Sequence, residues 1–271
     1  LTFVTNQKTT MNKVVFITGA SSGIGEALVY ELNEVGAKLI ISSRRADALY
    51  QVKQKCKKNV LDIHVLPIDL EQTETLLHKA NDAWKIYGRI DILINAGGIS
   101  QRSEVLDTLL TVEQKIMNVN FWATVSLSKA ILPKMIAQGN GNLVVISSLV
   151  GKFGTQFRST YAASKHALHG YFDSLRNEVF DKGISVHIIC PGFIKTNITI
   201  NSVTSNGGVY GKMDQNQEDG MSAQNCAIKI LNAIAKNKEE VLIGGKETYG
   251  VYIKRLFPKY FSKMIRKRKV V

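Results

Sequence analysis

Tyr161 and Lys165 stand four residues apart in the stretch YAASKHAL. On a helix that spacing puts both side chains on one face, so a phenol and an ammonium share one volume. A phenol can hand a proton to a developing alkoxide, and a nearby cation favours the phenolate left behind. The pair alone proves little, because nine tyrosines in a lysine-rich chain make one such spacing unsurprising.

A second constellation, FITGASSGIGEAL, places Gly19, Gly23 and Gly25 around Ser21, Ser22 and Ile24. Glycines there permit positive φ and let backbone N–H groups approach a pyrophosphate, which the N-terminus of a following helix stabilises. The cluster is specific because it sits between an expected first strand and first helix.

The elements that must position these groups follow from hydrophobic periodicity. Short β-branched runs are expected as strands over Val14 to Thr18, Leu39 to Ser42, Ile63 to Ile68, Ile92 to Asn95, Leu143 to Ser147, Val186 to Cys190 and Val241 to Ile243. They alternate with longer segments of helical period, the pattern of a parallel α/β sheet covered on both faces. Ile24, Leu28, Leu32 and Val35 mark one amphipathic helix with Gly36 as its C-cap. Further helices are expected over 45–57, 73–87, 111–137, 161–181 and 222–237. The polar, glycine-rich stretch 197–220 exceeds an ordinary connection and reads as a mobile functional loop.

The end of the second strand bears on the choice of nucleotide. An acid there would bond a ribose 2′-OH and repel a 2′-phosphate. This chain has Ser43, Arg44 and Arg45 instead, and a guanidinium pairs bidentately with phosphate, so the expected cofactor is NADP(H).

Thr18-Gly19-x-x-x-Gly23-x-Gly25, with Asn95, Gly98, Asn120, Ser148, Tyr161, Lys165 and Pro191-Gly192 following in order, resembles the classical short-chain dehydrogenase/reductase family over essentially 13–245. INAGGISQRS and YAASKHALHGYFDSLRNE are most similar to its dehydrogenase/reductase member 7-like branch and bacterial relatives. The resemblance implies a single-domain, seven-stranded Rossmann fold. It also implies hydride transfer between a nicotinamide and a ketone or alcohol, with Tyr161 as proton donor and Ser148 holding the carbonyl oxygen. Lys165 would bind the nicotinamide ribose and lower the Tyr161 pKa, and Asn120 would hold a relay water. Ser148 precedes Tyr161 by 13 residues, the family's spacing, and Ser147 is its structural competitor.

By the same resemblance Asp69 contacts the adenine, Asn95 and Gly97 belong to the cofactor site, and Pro191, Gly192, Ile194 and Thr196 hold the nicotinamide amide and diphosphate. The family usually reads Asn-Asn-Ala-Gly where this chain has Asn95-Ala96-Gly97-Gly98, so the second Asn is lost. Ser100, Leu149, Phe157, Phe193, Tyr210 and Met213 are candidate substrate walls, apolar enough for a steroid-, retinoid- or lipid-like carbonyl. A 3-oxoacyl-carrier-protein reductase and a non-catalytic NADPH-binding sensor are the competing readings. Relatives assemble as homodimers or homotetramers.

Of the formal net charge of +13, the tail from Lys246 onward holds +8, nine Lys and Arg against Glu247 alone. No nucleic-acid-binding motif accompanies it, so nucleic acid is not expected as a partner. Within the tail, Tyr252, Leu256, Tyr260 and Met264 run beside Ile253, Phe257, Phe261 and Ile265 as an apolar double stripe with basic residues between, and Pro258 starts or kinks a helix. This amphipathic extension, 246–271, is expected to pack over the substrate entrance, with weak peripheral membrane contact as the competing role. Cys56, Cys190 and Cys226 are widely spaced and odd in number, which points to reduced thiols in the cytoplasm. The five histidines show no metal-ligand spacing, and no metal is expected. With neither a membrane span nor signal-peptide blocks, the chain reads as soluble. Residues 1–12 read as a flexible extension ahead of, or including, a start at Met11.

Overall fold

A computed structural model describes residues 12–267. Residues 1–11 of the extension expected over 1–12, and the last four residues of the tail, lie outside that range.

Seven parallel strands, β1 (Val14–Thr18), β2 (Lys38–Ser42), β3 (Ile63–Val65), β4 (Ile92–Asn95), β5 (Gly141–Ile146), β6 (Ile184–Pro191) and β7 (Glu240–Ile243), pair in the order β3-β2-β1-β4-β5-β6-β7. Every residue of β1 is buried, as a central strand covered on both faces must be. Val14 and Phe16 enter one core, Val15 and Ile17 the other. Helices α1 (Gly23–Glu34), α2 (Ala46–Lys55) and α7 (Ala223–Ala235) cover one face. Helices α3 (Leu76–Tyr87), α5 (Ala123–Gln138) and α6 (Ser159–Glu178) cover the other, with α4 (Leu110–Met117) leading into α5. Gly36 follows the last turn of α1 with φ +76°, the left-handed value that stops a helix without Cβ strain.

The strand order reverses at β1, flanked by β2 and β4. Loops leaving those carboxyl ends diverge there and open the crevice in which doubly wound sheets bind ligands.

Three expectations change. The single helix expected over 111–137 is two, joined by a π-turn at Asn118–Trp122. A π-turn carries an extra residue, and this one turns Asn120 inward to full burial. The stretch 197–220, expected as a mobile loop, is tied down: Val203 is buried and bridges Gln101, its N–H donating to the Ser100 carbonyl at 2.9 Å. The tail breaks into α8 (Tyr249–Leu256) and α9 (Pro258–Lys267), with Pro258 at the first helical position, where its missing N–H costs nothing. Phe261 inserts into the core against Phe153, ring centroids 5.0 Å apart, while Tyr252, Leu256, Phe257 and Tyr260 stay exposed. The double stripe is therefore divided, but not row by row: Ile253, Phe261, Met264 and Ile265 face in, and Tyr252, Leu256, Phe257 and Tyr260 face out.

Candidate active site

One cavity of about 650 Å³ runs from the β1–α1 turn, past the ends of β4, β5 and β6, to the inner faces of α8 and α9. Its nucleotide end begins at Gly19, which takes φ +67°. A Cβ there would stand 2.6 Å from the Gly97 nitrogen, so only glycine lets these two turns close. Ser22 precedes α1 without a capping side-chain bond, which leaves the first-turn amides to the cavity. Ser21, Ser22, Gly23, Ile24 and Gly25 line it. Gly97 donates its N–H to Thr18 Oγ1 at 3.3 Å and lines the opposite wall.

Ser43, Arg44 and Arg45 border the far edge. Both arginines are exposed, and among the described residues neither forms an ion pair. Asp69 also borders the cavity and accepts the Glu71 N–H at 3.0 Å. Pro191, Gly192, Ile194 and Thr196 line the side beneath β6, where Glu247 Oε1 accepts from Phe193 N at 3.2 Å and Gly245 N at 3.0 Å. An uncapped helix start, a glycine-closed turn and free guanidiniums at the second strand end are the donor set a dinucleotide needs.

At the chemical end, Ser148 and Tyr161 line the cavity together, the serine hydroxyl near enough to favour the phenolate. Ser148 also donates to the Pro191 carbonyl at 3.4 Å and caps the turn after β5 through Val150 N at 3.3 Å. Ser147 points away, bonded to the Lys165 carbonyl at 3.3 Å and to His169 Nε2 at 3.0 Å. Lys165 is buried, its Nζ donating to the Ile146 carbonyl at 2.8 Å and lying 5.8 Å from the Tyr161 ring centroid. Burial pulls this ammonium down to about 8.

Burial pushes the Tyr161 phenol up; the Ser148 hydroxyl, then the Arg158 and Arg102 guanidiniums, pull against that. Arg158 and Arg102 are thus cations near the phenol in addition to Lys165, whose Nζ stands over the ring. A helical neighbour one turn away shares a face, and Lys165 Nζ also donates to a strand carbonyl.

Asn120 sits behind the cavity wall with its amide fully used. Its Oδ1 accepts from Ile99 N at 2.8 Å, and its Nδ2 donates to the Ile99 carbonyl at 2.9 Å and to Ser164 Oγ at 3.0 Å. It ties the loop after β4 to α6. A Cβ on Gly98 would stand 3.2 Å from Asn120 Oδ1 and 3.6 Å from Lys165 Nζ, so the chain is tightly packed between them.

Asn95 does not reach the cavity; buried in β4, it donates to Ser128 Oγ on α5 at 3.3 Å. Of the six expected substrate walls, Ser100, Leu149 and Phe193 line the cavity. Phe157, Tyr210 and Met213 stand outside its lining. The Phe157 carbonyl accepts from Ser103 N at 3.2 Å, the Tyr210 N–H donates to the Ser202 carbonyl at 2.9 Å, and Met213 is 36% exposed.

The structure adds groups that sequence spacing did not disclose. Gln101 is fully buried, and its Oε1 accepts from Thr160 N at 2.9 Å and Tyr161 N at 3.2 Å, capping α6 from a distant loop. Arg102, Arg158 and Asp214 form a buried ionic cluster in the cavity wall. Ile253, Phe261, Met264 and Ile265 from the tail roof it. Behind Lys165, His169, Cys190 and Glu240 converge within 4.8 Å. Their polar atoms already serve one another and neighbours: Ser147 bonds His169, and Lys152 Nζ lies 2.6 Å from Glu240. Burial pushes the Cys190 thiol up to about 12, which keeps it protonated.

The profile of the family described as short chain dehydrogenase matches residues 13–207. The chain is similar to a dehydrogenase/reductase SDR family protein 7-like of Anopheles gambiae, 41% identical over 266 residues that cover 94% of this chain and 83% of the relative. It is similar also to dehydrogenase/reductase SDR family member 7B of Danio rerio, 37% identical over 264 residues, 95% and 85% of the two chains. Among solved structures, a short-chain dehydrogenase from Streptomyces avermitilis superposes with a TM-score of 0.79 at 25% identity, covering 94% of this chain and 98% of its own. One from Burkholderia cenocepacia, solved in complex with NADP, reaches 0.78 at 18% identity over 96% and 99%.

Fold and crevice together define a nicotinamide-dependent oxidoreductase acting on CH–OH groups. The chain belongs to the short-chain dehydrogenase/reductase family and resembles its member 7-like branch.

Proposed function

We propose that this protein is an NADP(H)-dependent carbonyl reductase and alcohol dehydrogenase. The observation that carries the reading is the Ser148–Tyr161 pair in the wall of a cavity continuous with the uncapped start of α1. When bound, the nicotinamide supplies or accepts a hydride at its C4 carbon.

Ser148 orients the carbonyl oxygen toward the Tyr161 hydroxyl, and Tyr161 gives its proton to that oxygen as it becomes an alkoxide. Burial keeps the phenol protonated at neutral pH, the form this step needs. Lys165, lowered to about 8, is close to its titration range and exchanges a proton readily, while it holds the nicotinamide ribose. Asn120 fixes the loop beside Lys165. Arg44 with Ser43 and Arg45 would receive the 2′-phosphate, and the unpaired exposed guanidiniums support that preference. That the Burkholderia relative was solved with NADP adds to it.

The tail belongs to the catalytic unit as the roof of a hydrophobic substrate pocket. Its outward residues, Tyr252, Leu256, Phe257 and Tyr260 among Lys254, Arg255 and Lys259, support weak peripheral contact with an anionic bilayer. Three reduced, buried cysteines favour a cytoplasmic setting, and among the described residues no helix is long and apolar enough to cross a membrane. Pairing through α4, α5 and α6 into a homodimer or homotetramer follows the family pattern.

Tyr161→Phe tests the core of the proposal. It should abolish NADPH oxidation across a panel of steroid, retinoid, acyl and short-chain ketones while NADPH still binds. Retained turnover rules out Tyr161 as the proton donor. Co-sedimentation with anionic liposomes should fall when residues 250–271 are removed; equal binding sinks the membrane contact.

A further inference from the structure

A wall built only for a hydrophobic ketone has no use for two buried guanidiniums, yet Arg102 and Arg158 stand in it, their side chains 3% and 10% exposed. Among the described residues Asp214 is the one carboxylate paired with them, and a single oxygen serves both. Its Oδ2 accepts from Arg158 Nη2 at 3.1 Å and lies 3.6 Å from Arg102 Nη2. The other oxygen, Oδ1, is taken by the backbone and side-chain amides of Asn216 at 3.0 and 3.2 Å.

Arg102 finds only neutral acceptors besides: Ser100 Oγ at 3.3 Å, the Gln101 carbonyl at 2.8 Å and Thr199 Oγ1 at 3.3 Å. The Nε atoms of both arginines are buried and have no partner among the described residues. The cluster therefore carries one more positive charge than it neutralises. Burial, and then repulsion from Arg158, pull Arg102 down to about 10. An uncompensated buried cation is costly, and a ligand anion is the natural counter-charge. The surplus borders the cavity that Ser148 and Tyr161 also line. The same cavity also has apolar wall from Leu149, Phe153, Phe261 and Met264.

We propose that Arg102 and Arg158 form a subsite for an oxyanion carried by the substrate. The substrate class is then an amphiphile, a carbonyl on an apolar body bearing a carboxylate or phosphate group, rather than a neutral hydrophobic ketone. This rests on the reading of the cavity as the carbonyl-reducing site. Guanidiniums suit the task because their planar forks bond two oxygens of such a group at once. Asp214 keeps the two cations from driving each other apart and leaves one charge for the ligand.

The test is calorimetric binding to the full chain saturated with NADPH, so that phosphate sites for the nucleotide are filled. The probes are laurate, monododecyl phosphate and dodecanol, each below its micellar concentration. At least one anion should bind tenfold or more tightly than dodecanol, and the stronger of the two distinguishes carboxylate from phosphate. Arg158→Met and Arg102→Met should remove that preference and leave dodecanol affinity within about twofold. Equal binding of all three probes to the unaltered chain overturns the proposal without any variant having to fold. A preference that survives in both variants also overturns it, because the anion is then recognised elsewhere. Turnover is not needed for either readout, so failure of the reductase reading, seen as an unaltered enzyme inert on every ketone, is distinguishable from failure of the subsite.

Discussion

Gln101→Leu is the perturbation whose consequence is most directly worked from the geometry. Gln101 is fully buried in the loop after β4, and its carbonyl oxygen satisfies the backbone N–H groups of Thr160 and Tyr161 in the first turn of α6. Its amide nitrogen donates toward Ser103 Oγ at 3.1 Å. Leucine nearly fills the volume and accepts nothing, so two helix-terminal donors lose their partner out of reach of water. An orphaned buried donor costs about 1–3 kcal/mol, and loss of a cap costs about 0.5–2 kcal/mol. Two donors are orphaned at once, which gives roughly 2–4 kcal/mol, the lower part of twice the single-donor cost.

For a chain of this size each kcal/mol moves Tm by about 2–4 °C, so the expected fall is roughly 5–15 °C. Because the orphaned amides belong to Tyr161 and its neighbour, the phenol also loses its register, and misplacement by an ångström costs on the order of a hundredfold in rate. Gln101→Glu keeps the acceptor, adds a charge the helix N-terminus favours, and should hold Tm within about 3 °C by the same scaling. Scanning calorimetry and kcat/KM on one ketone read both effects. A Gln101→Leu protein with wild-type Tm and rate would refute the claim that a remote side chain caps this helix and sets the phenol.

Ser43→Asp combined with Arg44→Ala should move the preference from NADPH toward NADH, read as the ratio of kcat/KM for the two, and an unchanged ratio dismisses the 2′-phosphate reading. Glu240 is held down at about 2, first by its bond to His169 and also by Lys152, against an unfolded value near 4.3. Because the folded value is depressed, the stabilisation is fully present above about pH 5 and is lost as pH falls toward 2. Glu240→Gln should therefore flatten the acid limb of Tm against pH, the two proteins converging near pH 2; parallel curves would show that the Glu240 contacts carry no linkage.

Much of the framework was legible because it is written in short-range signals. The seven strands could be read from β-branched runs within a few residues of their observed ends, and the glycine turn from its place between β1 and α1. Period failed where an element departs from regularity over one turn. The π-turn at Asn118–Trp122 leaves the apolar rhythm of 111–137 intact, so nothing in the pattern marked where the helix breaks. Composition likewise named the 197–220 stretch as a loop but could not foresee that Val203 would bury against Gln101.

What the chain alone determined was the set of reactive groups and the order of the elements that carry them, since helix period, strand alternation and turn chemistry are properties of neighbours in sequence. Only the tertiary structure decided which distant groups meet. Gln101 reaches α6 across 59 residues, and Asp214 reaches Arg158 across 56. Those meetings depend on how loops leave the carboxyl ends of parallel strands and fold back over them. The same crossing brings the tail over the cavity, buries Phe261 while leaving Tyr252, Leu256, Phe257 and Tyr260 outside, and adds two guanidiniums to the wall that holds the phenol.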